Sequence, residues 1–349
     1  MAKVLKKGEE SLLFLVEHFD PLPRLKKQYL LRVYVLGNKI DVEMTDLKTN
    51  KKFLKRSAAP DHIVRDDFFI GATVLLYSRE LVLVDFGDMT TKSLLQHQMQ
   101  QSVIIIPAEH QNMQQNWGKI IDEALSQGLL IVRAKSVLVP ADVAEKACAV
   151  LGVGSRASGW MQSTVGVLVM CVQGEDGLEK IQRICSKYDS TGSLNSDGSP
   201  LLCALRASEA AELKELLLEG NRPLQSSVTL DSNTCCIIKP HAIKAKLAGK
   251  IVDHLITQSY EISALSTLYF DKAAAEEFLE VYDGVVPEYK DHVIELCSGM
   301  ALAMELRAVD AGKSEFGLVI ERGYLLYTAD YLFHVECCIR HMVFFNHIP

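Results

Sequence analysis

Two stretches of this chain repeat one another. SVIIIPAEH at 102–110 leads into GKIIDEALSQGLLI at 118–131, and TCCIIKPHA at 234–242 leads into GKIVDHLITQSYEI at 249–262; six of the fourteen later positions are identical. A recurrence on this scale means that whatever the first copy folds into, the second copy folds into as well. Each reads as an apolar strand ending near a proline, a loop, an amphipathic helix opening at Gly-Lys, and a second strand. GVLVM (166–170) and MALAM (300–304) add a further strand to each copy, behind helices that start in PADVAEKA (140–147) and DKAAAEEF (271–278). Strands alternating with helices over roughly 115 residues predict a ferredoxin-like α/β unit, once at 100–222 and again at 231–349. EGNRPLQSSVTLDSN (219–233), polar and interrupted by proline, reads as the linker between them.

Residues 1–94 follow a different pattern. SLLFLVEHF, QYLLRVYVLG, KIDVEMTDL, KKFLKRS, GATVLLYSRE and LVLVDFGD are short apolar runs separated by polar turns. Their spacing predicts antiparallel strands closing into a small β barrel or sandwich of the PH-like kind. After Asp88 the text becomes polar and Gln-rich, which puts a boundary near 93–100. The expected fold is therefore α+β and multidomain: one PH-like β domain followed by two ferredoxin-like α/β domains.

Charge is divided along the same line. Residues 1–94 hold 16 Lys and Arg against 13 Asp and Glu, leaving 21 against 31 for the rest of a chain whose net charge is -7. An acidic body repels phosphate, so nucleic acid is not the expected partner. The longest apolar runs, such as VGVLVMCV (165–172), fall well short of the roughly 20 residues of a spanning helix, so no membrane is expected either. The apolar LLFLV near the start is cut off by Glu17 and lacks a small-residue cleavage site, which argues against a secretory signal. Nine cysteines without a C-x-x-C pair read as small hydrophobes in a reducing compartment. The adjacent Cys235 and Cys236 point to opposite faces of a strand and cannot chelate together, so no metal site is expected.

The strand closing on Ile-Lys-Pro resembles the opening of the nucleoside diphosphate kinase family, with Lys239, Pro240 and Ala242 matching and His241 standing where the family usually has an acid. SGMALAMEL (298–306) is similar to that family's small-glycine-proline strand opening. EHFDPLPRLKKQYLLRVY, DVEMTDLKTNKKFLKRS and DDFFIGATVLLYSRELVLVDFGD resemble the PH-like domain that recurs in proteins of ciliary doublet microtubules. The resemblance covers nearly the whole chain.

A working enzyme of that family passes phosphate through a histidine nucleophile, with cations neutralising the transferred oxygens. The resemblance makes Lys239 a vestigial phosphate contact. In GYLLYTADYLFHV (323–335) it puts Tyr327 at the histidine position, and a phenol with a pKa near 10 is a poor nucleophile. Arg322 is either a second vestigial contact or a solvated turn. His334, His341 and His347 fall in or after the closing helix and read as core or surface residues. In the first copy Ile106 takes the lysine position, and GSPLLCALRASEAAEL (198–213), where the histidine belongs, contains none. GVGSRASG (152–159) lacks the strand-to-helix setting of a phosphate loop.

These residues predict no catalytic group and no cofactor, that is, a kinase pseudoenzyme. The resemblance implies a structural inner protein of the ciliary or flagellar axoneme, with the basal body or centrosome as further locations. Tubulin of the doublet microtubule and neighbouring microtubule inner proteins would be its partners. Lys51, Lys52, Lys55 and Arg56, within KTNKKFLKR (48–56), are candidates for meeting an acidic tubulin surface, or form a solvated hairpin. The alternatives are a nucleoside diphosphate kinase using magnesium with ATP or GTP through the second copy, or a nucleotide-binding sensor.

Overall fold

A computed structural model describes residues 9–307, apart from 21–24, 78, 99, 109, 190–194, 196–199, 221–222 and 230–232, together with 327–328. The first unit is a six-stranded antiparallel sheet: β1 (Glu10–Asp20), β2 (Leu25–Leu36), β3 (Lys39–Asp46), β4 (Lys52–Ala58), β5 (Thr73–Leu76) and β6 (Arg79–Phe86), in the order β4-β3-β2-β1-β6-β5. Alternate residues such as Leu12, Phe14, Val16, Leu31, Val33, Val42, Leu81 and Leu83 build its core. Helix α1 (Met89–Gln98) opens where Asp88 Oδ1 accepts from the Thr91 amide at 2.7 Å. Leu95 on α1 joins the same core, and Thr91 Oγ1 accepts from the Leu13 amide at 2.9 Å. Through Thr91 and Leu95, α1 completes the packing of the first unit.

The described residues from Gln100 onward build one eight-stranded sheet. Its first half comprises β7 (Gln100–Pro107), α2 (Trp117–Ser126), β8 (Leu130–Val137), α3 (Ala141–Leu151), α4 (Ser155–Met161), β9 (Val167–Gly174), α5 (Gly177–Tyr188), β10 (Leu202–Cys203) and α6 (Ala207–Lys214). Its second half comprises β11 (Asn233–Ile238), α7 (Pro240–Lys244), α8 (Ala248–Thr257), β12 (Glu261–Tyr269), α9 (Lys272–Leu279), α10 (Tyr289–Leu296), β13 (Met300–Arg307) and β14 (Tyr327–Thr328). The strand order is β10-β7-β9-β8-β12-β13-β11-β14, so each half has the same internal order, and the second strands of the two halves meet at the centre. Both faces of the sheet are covered, which is why its strands read as unbroken apolar runs. Ile104 and Ile106 face one core while Val103 and Ile105 face the other; Cys236 and Cys235 divide in the same way.

At the centre, side-chain hydroxyls replace much of the backbone ladder. Ser136 Oγ accepts from the Leu265 amide at 2.8 Å, and Thr267 Oγ1 accepts from the Ala134 amide at 3.1 Å. Helices α2 and α8 cross over this seam in a reciprocal way. A Cβ on Gly118 would overlap the Asp253 backbone, and one on Gly249 would overlap the Asp122 backbone. Glycine here buys close helix approach at the cost of helix propensity.

Residues 223–229, within the stretch read as a linker, form a strap against the sheet. Leu224, Ser226 and Ser227 are buried. Ser227 Oγ donates to Ser263 O at 2.7 Å and lies 2.8 Å from Ser136 Oγ, while Glu305 Oε2 accepts from the Thr229 amide at 2.9 Å. Ser227 and Thr229, which suggested solvent exposure, bond to the sheet at the seam instead.

The first sheet docks on both halves. Leu130 and Val132 of β8 pack against its core, and Leu75 of β5 packs against the core under α9 and α10. Lys244 donates to His62 O at 2.7 Å, to Asp67 Oδ2 at 3.0 Å and to Ser298 O at 3.3 Å. Among the described residues no helix is long and apolar enough to cross a membrane.

Candidate functional site

Strand β11 ends at Ile238 because Pro240 has no amide to add to a ladder; its fixed φ suits the first turn of α7, for which Lys239 is the N-cap with φ -68° and ψ 156°. That geometry turns the Lys239 side chain inward, and the residue is only 4% exposed. Its ammonium lies 3.4 Å from His292 Nδ1 on α10. One turn further along α10, Glu295 Oε1 accepts from the His241 amide at 3.1 Å and from His241 Nδ1 at 2.7 Å. The site is thus a cluster of one ammonium, two imidazoles and a carboxylate where β11, α7 and α10 converge.

Burial sets the electrostatics. It lowers the Lys239 pKa below the ordinary lysine value, with Glu295 opposing the shift. Burial also lowers the pKa of His292, and the Lys239 charge lowers it further. A neutral His292 can accept the lysine proton at Nδ1, and this arrangement suits an anion with several oxygens better than it suits a metal. Among the described residues no group of three or more His, Cys, Asp and Glu side chains could hold a metal ion.

The equivalent place in the first half is apolar. Ile106, next to Pro107 at the end of β7, is fully buried opposite Leu168. Within the stretch where the family resemblance calls for a histidine, Cys203 of β10 is clamped from outside it by Asn195, which accepts from its amide at 2.9 Å and donates to its carbonyl at 2.7 Å. GVGSRASG joins α3 to α4, a helix-to-helix corner and not a strand-to-helix one.

Tyr327 lies in β14, opposite Ile237 in the ladder and two residues from Lys239 in β11 numbering. Arg322, His334, His341 and His347 lie outside the described residues. Of the basic candidates on the first sheet, Lys51 and Lys55 are exposed, and Lys52 pairs with Glu43. Arg56 is committed within the molecule: it pairs with Glu9, reaches Asp41 at 2.7 Å and lies 3.9 Å over the Tyr34 ring. An arginine held by two carboxylates and a ring has less left to offer a partner than Lys51 or Lys55.

Sequence reading placed Lys239 but not its neighbours. His292 lies 53 residues away and Glu295 54 residues from His241. The one signal available was that DHVIEL spaces a histidine and a glutamate three apart on a helix, where they share a face.

A family model for nucleoside diphosphate kinase matches residues 232–316, the second half of the large sheet. Over 331 residues the chain is 30% identical to the rat protein called nucleoside diphosphate kinase homolog 7, covering 88% of this chain and 81% of that one. The chain belongs to the nucleoside diphosphate kinase homolog 7 family. The mouse homolog 7 is 29% identical over 330 residues, with the same shares covered. A nucleoside diphosphate kinase from Helicobacter pylori is 33% identical over 82 residues, covering 24% of this chain and 59% of that one. A solved Aquifex aeolicus nucleoside diphosphate kinase aligns over 33% of this chain and 94% of its own, at 21% identity and a TM-score of 0.26. Homolog 7 similarity spans both sheets, whereas the family model covers only the half that carries Lys239.

Proposed function

We propose that this chain is a structural, non-catalytic member of the homolog 7 family, a microtubule inner protein of ciliary and flagellar doublets that docks on tubulin and on neighbouring inner proteins. In this reading the first sheet is a PH-like domain, the two halves of the large sheet are degenerate kinase lobes fused into one rigid body, and the protein resides in the axoneme, with the basal body or centrosome as further sites. The observation that carries it is the pair of phosphate positions: fully buried Ile106 in one half, and in the other Lys239, buried against His292. Tyr327 at the expected nucleophile position supports the same reading, since losing the group that forms the covalent intermediate removes the chemistry while the fold persists.

Two measurements test it. Purified full-length protein should sediment with microtubules, and a tagged copy should remain in isolated, detergent-extracted axonemes. Protein that stays in the supernatant and is absent from axonemes overturns the proposal.

The Lys239, His292 and His241 cluster favours a second reading, in which the second half binds a nucleotide, with or without magnesium-dependent transfer. A rise in thermal stability with millimolar GTP would support it, and an unchanged melt would dispose of it.

A further inference from the structure

A cleft of about 320 Å³ opens where the first unit meets the large sheet. Phe68, Phe69 and Phe86 line it from the first unit, and Gln101 of β7 and Gln173 of β9 line it from the large sheet. Phe86 is only partly buried, and its ring lies 6.2 Å from that of Phe14, which stacks on Phe68 at 6.1 Å. One wall is therefore aromatic and continuous with the core beneath it.

The opposite wall is a pair of amides. Gln101 and Gln173 stand opposite one another in the β7–β9 ladder, so their side chains share one face of the sheet. Gln101 Nε2 donates to Gln173 Oε1 at 2.8 Å, which uses one hydrogen of one amide and one lone pair of the other. Among the described residues nothing accepts from Gln173 Nε2, and nothing donates to Gln101 Oε1. Gln173 is only 4% exposed, and buried amides are ordinarily satisfied, so its remaining partner comes from whatever fills the cleft. A free donor and a free acceptor remain side by side even if both amides are turned over.

We propose that this cleft binds a neutral, planar aromatic ligand with an amide edge, a C=O beside an N–H, as in an aromatic carboxamide or the lactam of a pyrimidine. The free donor of one glutamine and the free acceptor of the other complement that edge, while the phenylalanine wall takes the ring. Neutrality follows from the other lining residues, since Lys92 and Asp85 supply one charge of each sign. Water alone would satisfy the amides and leave the aromatic wall wet; a ring with an amide edge answers both. The volume lies at the lower end of small-molecule sites, about 300–1,000 Å³. This site is separate from the Lys239 cluster and independent of the microtubule reading.

The test uses the full chain and NMR titration, with nicotinamide and uracil as probes. N,N-diethylnicotinamide and 1,3-dimethyluracil keep the rings without the N–H, and cyclohexanecarboxamide keeps the edge without the flat ring. At least one probe should bind saturably at millimolar concentration, about tenfold or more tightly than its N–H-free counterpart and than cyclohexanecarboxamide. The tighter probe names the source, carboxamide or lactam. In wild type the Gln173 side-chain amide resonances should move on titration, which locates the site without any substitution. In Gln101→Leu and Gln173→Leu, checked for folding by thermal melt, the preference for the N–H-bearing probe should fall to about one. Several results would overturn the proposal: no saturable binding of either probe, equal binding of the controls, binding that leaves the Gln173 amide resonances in place, or a preference that survives both substitutions.

Discussion

The ammonium of Lys239 and Nδ1 of His292 lie 3.4 Å apart, so the one phosphate-type cation at the end of β11 already has a partner inside the fold. Burial depresses both groups, and the Lys239 charge further opposes protonation of His292. A histidine with a depressed folded pKa binds its proton more weakly than in the unfolded chain, so it costs stability as pH falls from about 6.5. His292 should titrate below that value by NMR and move up toward it in Lys239→Met. A His292 that titrates at or above 6.5 in wild type would contradict the arrangement.

Gly118 and Gly249 should be equivalent. A side chain on either meets backbone and not a flexible tip, because α2 and α8 touch reciprocally at Asp253 and Asp122. Gly118→Val and Gly249→Val should each cost about 3 kcal/mol or more in urea unfolding. A loss at only one of the two would break the reciprocity of the seam.

Glu80 supplies a pH dependence to the joint between the first sheet and the second half. Burial and then the Asp271 carboxylate raise its pKa to about 7, while the Lys272 amide opposes the shift. A raised carboxyl pKa favours the folded state at low pH, and that stability is lost as pH rises from about 4.5 to about 7. Glu80→Gln should match wild type near pH 4 and exceed it by about 1–2 kcal/mol at pH 8, after allowance for solvent screening. Urea midpoints at the two values decide it.

Lys244 fastens the same joint with three acceptors, two of them on the first unit. Burial already raises the Asp67 pKa, and Lys244 holds it back. Lys244→Met should cost about 3 kcal/mol, because it strands a largely buried carboxylate, and should speed proteolysis between the units. Adding Asp67→Asn should recover part of the loss.

The large sheet was legible because its strands are buried on both faces: SVIIIP and TCCII could hardly be anything else, and their recurrence gave the second half from the first. The strap at 223–229 was not. Its serines look solvated until Ser227 is placed beside Ser136, 91 residues away. The pairing of Arg56 was hidden for the same reason, since Glu9 lies 47 residues off and only the folded sheet brings it near. At the candidate site the lysine could be read from its neighbours in the chain; the imidazole and carboxylate that give it its character come from another helix.

In the proposed reading neither half carries phosphate between nucleotides. The most direct measurement incubates full-length protein with radiolabelled ATP, magnesium and a second nucleoside diphosphate, and follows both label on the protein and label in the new triphosphate. The expected result is no acid-labile phosphohistidine and no transfer above the protein-free control. A labelled chain that discharges its phosphate to the diphosphate, turnover after turnover, would contradict it.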